Sequence, residues 1–252
     1  NCLWDIAGKA AQLPICDLIS RARSTCPAYY NFESSRVESA LEDAHKAVGM
    51  GFTALKDHWS STAEQNISNA RAIRQDFSDI PLFHDAASAP YTYEEALDVG
   101  RALQDLQFEW FEEPLPDRNI DQLQTLCSAL DIPILAPETL MHEWELSALW
   151  LRQGATDLLR ANARHGTTAT LKLAHCAQMQ DSTIELNGPG GLFGLIHVHL
   201  VCAIGNTRYY EYFPGGTRDE LGREIGRMNP PLPTNGYVHP PQGPGWGAEW
   251  DR

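Results

Sequence analysis

At 252 residues, with 43% apolar and 21% charged side chains, the chain can bury a large core and is too apolar to be disordered. Its net charge of −14 excludes a phosphate-backbone partner, so no nucleic acid is expected; an anionic small molecule stays compatible, because a bound cation reverses the local field. No apolar run reaches the roughly 18 residues of a membrane span, and Asp5 and Lys9 interrupt any secretory leader.

Residues 1–12 read as an amphipathic helix, with Leu3, Ile6 and Ala7 at helical spacing. Strands are then expected over 27–33, 52–58, 81–86, 108–113, 133–138, 157–162, 183–187 and 208–213. Helices are expected between them, over 37–49, 62–75, 92–106, 119–129, 143–153, 167–179 and 192–203. Strict alternation implies a parallel sheet, and eight strands imply closure into a single barrel. An open doubly wound sheet is the competing arrangement, but no Gly-rich dinucleotide loop follows the first strand. Residues 214–252 differ in kind: Pro and Gly are dense (Pro230, Pro231, Pro233, Pro240, Pro241, Gly243, Pro244, Gly245), and the segment reads as an irregular tail that packs onto something through Trp246 and Trp250. Six cysteines without CxxC spacing read as free thiols of a reducing compartment, hence a cytoplasmic chain.

The chemistry gathers at the strand ends. Phe108-Glu-Trp-Phe-Glu-Glu-Pro-Leu115 runs aromatic residues into two acids and a proline; Leu82-Phe-His-Asp85 and Ile134-Leu-Ala-Pro-Glu138 end similarly. Asp85, Glu112 and Glu138 are 27 and 26 residues apart, one strand-loop-helix-loop unit each, so they sit on neighbouring strand tips. Residues two apart share a strand face. The candidate ring at the barrel mouth is therefore Lys56 with His58, then Asp85, Glu112, Glu138, Asn162, Asn187 and Glu211, with Asp57 and Glu113 on the opposite faces. Three clustered carboxylates need a cation, and hard oxygen donors without cysteine or paired histidine favour Mg2+. Lys56, in an apolar strand, is either an ion-pair partner of these acids or a general base with a pKa lowered by burial and metal. His58 reads as base, acid or hydrogen-bond donor. Gly188-Pro-Gly-Gly191, ahead of a helix, either offers N–H groups to a substrate anion or is a plain tight turn.

Taken together, Cys2-Leu-Trp-Asp-Ile-Ala-Gly-Lys9, Thr53-Ala-Leu-Lys56, His84-Asp85-Ala, Trp110-Phe-Glu-Glu-Pro114, Pro137-Glu138 and Tyr210-Glu211-Tyr-Phe resemble the enolase superfamily, and within it the mandelate racemase/muconate lactonizing enzyme-like branch. The resemblance implies an α/β fold of the (β/α)7β TIM-type, one Mg2+ held by Asp85, Glu112 and Glu138, and removal of the proton α to a carboxylate through an enolate. Lys56 matches the first lysine of the family's Lys-x-Lys pair, and Glu211 matches the acid that supports the substrate. The second lysine is replaced by His58, as in acid-sugar dehydratase-like members. Asn187 and Asn162 stand where racemases carry a histidine and an aspartate; the segment after Asn162 is about two residues short, so Arg164 or His165 could enter the site instead. Residues 1–213 are assigned to the barrel and 214–252 to the tail, and the N-terminal capping domain that family members carry is expected to be missing, which would leave Trp246 and Trp250 without a partner surface.

The missing dyad weighs toward dehydration of an aldonate or aldarate to a 2-keto-3-deoxy acid. The alternatives are a racemase or epimerase of a 2-hydroxy acid, a glycosidase pairing Glu112 with Glu185 or Glu211, and an inactive metal-binding barrel. The expected partner is a small carboxylate, with no membrane; a homo-oligomer is compatible with the sequence.

Overall fold

The computed structural model describes residues 1–251 apart from residues 33, 35, 88, 141–142, 189 and 215–221. The end of the first expected strand at Glu33, Pro189 of the glycine-rich turn and part of the tail lie outside the described residues. Two helices, α1 (Cys2–Ala11) and α2 (Ile15–Ile19), lead in. Strands β1 (Cys26–Phe32), β2 (Leu55–Asp57), β3 (Leu82–Asp85), β4 (Trp110–Glu112), β5 (Ile134–Ala136), β6 (Leu158–Ala161), β7 (Ile184–Leu186) and β8 (Tyr210–Tyr212) pair in parallel, and β1–β2 pairing closes the ring. Helices α3 (Val37–Gly49), α4 (Ala63–Asp76), α5 (Tyr93–Asp105), α6 (Ile120–Ala129), α7 (Trp144–Arg152), α8 (Thr167–Gln178) and α9 (Gly191–Ala203) fill the seven connections, giving the TIM-type α/β barrel expected from the alternation. Helix starts follow local chemistry: Thr92 and Glu95 form a reciprocal capping box on α5, and the Thr62 and Asn119 side chains accept N–H groups of α4 and α6.

Nearly all strand residues are buried, as in a parallel sheet covered on both faces. Outward side chains join the large core under the helices. Inward ones form a separate layer of Tyr29, Ala54, Phe83, Trp110 and Leu135 across the lumen, with Phe83 and Trp110 stacked at 3.9 Å between centroids. On the strand N-terminal side of this layer, Arg208 binds Glu185 at 3.2 Å and Glu109 at 3.3 Å. Glu185 is thereby committed to the barrel floor, which removes it as a partner for Glu112.

The tail adds β9 (Tyr237–Val238), antiparallel to Cys26 and Pro27 of β1, and α2 and β9 are elements the periodicity did not reveal. The expectation that Trp246 lacks a partner is corrected. Its indole is buried, donates to the Asn1 carbonyl at 3.2 Å and meets the His199 ring edge-on at 5.5 Å; its backbone N–H donates to Asp5. The turn before it needs Gly245, at φ +72°, because a Cβ there would collide with Asp5. Trp250 stays 45% exposed. All six cysteines are free thiols, and no helix among the described residues is long and apolar enough to cross a membrane.

Helix α9 is apolar on every side and carries two buried histidines. His199 Nδ1 accepts the Cys16 N–H and its Nε2 donates to the Trp246 carbonyl; His197 Nε2 accepts the Ala163 N–H and its Nδ1 donates to the Asn187 carbonyl. These partners fit the neutral rings, and burial pulls His197 down to about 3 and His199 to about 4. The unfolded chain takes up these protons near pH 6.5 while the native state refuses them, so stability is full above that pH and falls toward pH 4. The loss is up to about 1.4 kcal/mol per pH unit per histidine. Urea unfolding midpoints at pH 7 and pH 5 should show a smaller drop for His199→Asn than for the parent chain; an equal drop would contradict this assignment.

Candidate active site

Parity in β2 sends Lys56 into the lumen, where three carboxylates from three strands converge on its ammonium: Glu112 Oε2 at 2.5 Å, Glu211 Oε1 at 2.9 Å and Asp85 Oδ2 at 3.0 Å. A second cation, Arg160 of β6, lies beside it. Its Nε is 2.8 Å from Glu112 and 3.2 Å from Glu138, one terminal nitrogen is 2.9 Å from Glu211, and the other donates to the Tyr29 hydroxyl at 3.3 Å. Asp57 faces outward, as parity requires, against His84 at 2.7 Å, and accepts the Asp85 N–H. His58 continues the Lys56 face, with Nε2 3.0 Å from Asp85 and its ring against Phe213.

The charges of this cluster set one another. Burial and Arg160 pull Lys56 down, but Asp85, Glu112 and Glu211 outweigh them and hold it well above the ordinary lysine range. Burial raises Asp85, yet Lys56 and His58 bring it well below the usual carboxylate range; burial likewise raises Glu211, and Arg160 with Lys56 brings it well below. Glu112 goes the other way: burial pushes it up, Arg160 and Lys56 fall short of compensating, and Asp85 and Glu138 push it further. With no metal bound, Lys56 is therefore the ion-pair partner of these acids.

Asn162 and Asn187 face each other across β6 and β7. The Asn162 amide donates to Asn187 Oδ1, and Asn187 donates to Glu138 at 2.9 Å. The first N–H of the glycine-rich turn, Gly188, is taken by Glu211 Oε2, so it holds the protein's own carboxylate in place of a substrate anion. A Cβ at Gly188 would press on the Glu211 backbone, which explains glycine there. Asn31 of β1 adds a donor to Glu211 at 3.4 Å.

Above the cluster opens a cleft of about 620 Å3, bordered by His58, Asp85, Ala87, Glu113, Glu138, Arg160, Arg164, Asn187, Glu211 and Phe213. Lys56 and Glu112 are fully buried beneath it. One feature departs from the strand-parity reading. Glu113 borders the cleft instead of facing away, because its φ of +48° ends the strand alternation; burial and the neighbouring Asp85 and Glu138 push its carboxyl up to about 8. Arg160, visible in sequence as a face-mate of Asn162, proves to be the centre of four polar contacts. Arg164 enters the cleft by way of a 3-10 turn, Ala163–His165, that the Asn162 side chain caps.

The donor set bears on a metal. Among the described residues no three Asp, Glu, His or Cys side chains stand at metal-ligand spacing; Lys56 and Arg160 lie between the acids. Yet both Glu112 oxygens, close to these cations, accept no well-directed hydrogen bond, and four carboxylates face two cations. An all-oxygen set with two uncompensated negative charges fits a hard divalent ion.

Barrel, acid ring and polar cleft define an α/β-barrel protein with a carboxylate-rich site at the C-terminal ends of its strands. The chain belongs to the enolase C-terminal domain-like family, which matches residues 39–252. It is similar to arabinonate dehydratase of Saccharolobus solfataricus, 28% identical over 97% of this chain and 66% of that protein. It is also similar to L-talarate/galactarate dehydratase of Salmonella typhimurium, 28% identical over 84% of this chain and 53% of that one. The crystal structure of D-glucarate dehydratase from Agrobacterium tumefaciens complexed with magnesium superposes with a TM-score of 0.88 at 28% identity, over 99% of this chain and 69% of the other. The chain thus spans about two thirds or less of the length of these curated relatives.

Proposed function

We propose that this barrel serves a Mg2+-dependent lyase that removes the proton α to the carboxylate of an acid sugar and expels the β-hydroxyl, giving a 2-keto-3-deoxy acid. The observation that carries the choice is the asymmetry of the cleft: His58 borders it on the β2 side, while the opposite wall presents the hydrogen-bonded Asn162–Asn187 pair, which cannot titrate. Inversion at the α-carbon needs a proton donor or acceptor on each face; elimination needs one, since the proton taken can be returned to the departing hydroxyl. The dehydratases among the relatives support the same direction.

His58 takes the α-proton from the cleft. Lys56, paired with Glu211, supplies fixed positive charge beneath the oxygen on which negative charge grows, and Glu211 with Gly188 and Asn31 keeps that ammonium oriented. Asp85, Glu112 and Glu138 would hold the Mg2+, which when bound neutralises the substrate carboxylate and so acidifies the α-proton.

With Mg2+ and a panel of aldonates and aldarates in deuterated water, the protein should form a keto acid that carries solvent deuterium. EDTA should stop the reaction, and Glu112→Gln should lower Mg2+ affinity and turnover together, each by at least about 100-fold. Clean interconversion of epimers without keto acid would sink the dehydratase reading, and Mg2+ binding without any turnover would favour a non-catalytic barrel.

A further inference from the structure

The cleft wall carries three basic side chains, of which two are engaged: His58 meets Asp85, and Arg160 is saturated by Glu112, Glu138 and Glu211. The third, Arg164, directs its guanidinium to no ion pair or hydrogen bond among the described residues; only its backbone N–H is used, donating to Asn162 Oδ1 at 2.7 Å. The backbone around it is nevertheless fixed from three sides. Beside the Asn162 cap, the Ala163 N–H donates to His197 at 3.0 Å, and the Ala163 carbonyl accepts from the Asn1 side chain at 2.8 Å. An exposed cation on a turn held this firmly is pre-organised to receive an anion, and guanidinium matches a carboxylate in shape.

Position and charge indicate which anion. With all four acids ionised around a cation, the cluster's four acids and two cations leave a charge of −2, which one divalent ion cancels, so Arg164 is not needed to balance the cluster. It stands after β6, four strands around the ring from β2, which carries Lys56 and His58. The reacting end of a substrate beside His58 therefore leaves its far end to approach the β6 wall. On the reading that this site dehydrates acid sugars, we propose that Arg164 receives a second carboxylate at the distal carbon, making the substrate an aldaric rather than an aldonic acid.

The test compares kcat/KM for an aldarate and the aldonate of the same configuration. The parent protein should favour the aldarate, and Arg164→Met should reduce the aldarate-to-aldonate ratio by about 10- to 100-fold, chiefly through KM, with Arg164→Lys recovering part of it. Preference for the aldonate, or for an aldonate phosphate, overturns the proposal while leaving dehydration intact, as does an equal loss on both substrates. If no acid sugar is turned over, the function fails but this inference is still decided by calorimetry on the Mg2+-loaded protein. Glutarate should then bind more tightly than pentanoate, with Arg164→Met abolishing the difference; equal binding by the parent protein overturns it.

Discussion

Replacing Lys56 by methionine should cost about 3–5 kcal/mol of stability at pH 7 in metal-free protein, the usual penalty for breaking a buried ion cluster from one side. Methionine fills most of the volume, so packing contributes little to the loss. What remains is three buried carboxylates without the ammonium that now stands within 3.0 Å of each. Their pKa values must rise in the folded variant. An acid raised in the native state adds stability as pH falls, so the deficit relative to the parent should shrink between pH 7 and pH 5. Urea denaturation in EDTA at the two pH values measures this, and a deficit that grows on acidification would refute the account. On the proposed reaction, turnover should fall by on the order of 1,000-fold, because the fixed charge beneath the developing oxyanion is lost.

Arg160→Met should act in opposite directions on metal and on chemistry. Arg160 is a buried unit charge in contact with Glu112 and Glu138, two of the three acids assigned to the ion, and it repels any cation they hold. At about 4 Å and an effective dielectric of about 20, that repulsion between a unit charge and a divalent ion is on the order of 8 kcal/mol. Some is returned because the acids lose a contact that orients them, so Mg2+ affinity should rise by at least about tenfold. Turnover should fall, since Glu211 loses its 2.9 Å contact and the cluster becomes too negative for an anionic substrate. Calorimetric titration with Mg2+ beside steady-state kinetics separates the two effects. Weaker Mg2+ binding would show Arg160 to be purely structural. The sign is the reverse of that expected for Glu112→Gln, so the pair of variants distinguishes a ligand from its neighbour.

The barrel was legible because its physics is periodic. Alternating apolar runs and amphipathic stretches specify eight units, and acids 27 and 26 residues apart land on adjacent strand ends. Parity worked wherever the backbone stays extended, as at Lys56, Asp57 and His58, and failed at Glu113, where a positive φ breaks it. Arg160 could be put on the inward face but not weighed, since a cation among carboxylates becomes meaningful only when ring closure brings β6 toward β4 and β8. The five-residue α2 and two-residue β9 are too short to carry a period, and β9 exists only because the tail returns to Cys26 and Pro27. The partners of Trp246 were hidden for the same reason: Asn1 and Asp5 lie about 240 positions away in sequence. In α9, apolar all round, no pattern marked His197 and His199 as backbone-bound.

The stacked layer of Tyr29, Phe83 and Trp110 across the lumen also decides how matter moves. It makes the barrel a blind alley. On the proposed reaction, reactant, expelled water and product would share the cleft above it, because among the described residues this layer closes the floor. The keto acid of that reaction would leave past the residues that admitted its precursor, so product and substrate would contend for one passage, and product inhibition should be competitive.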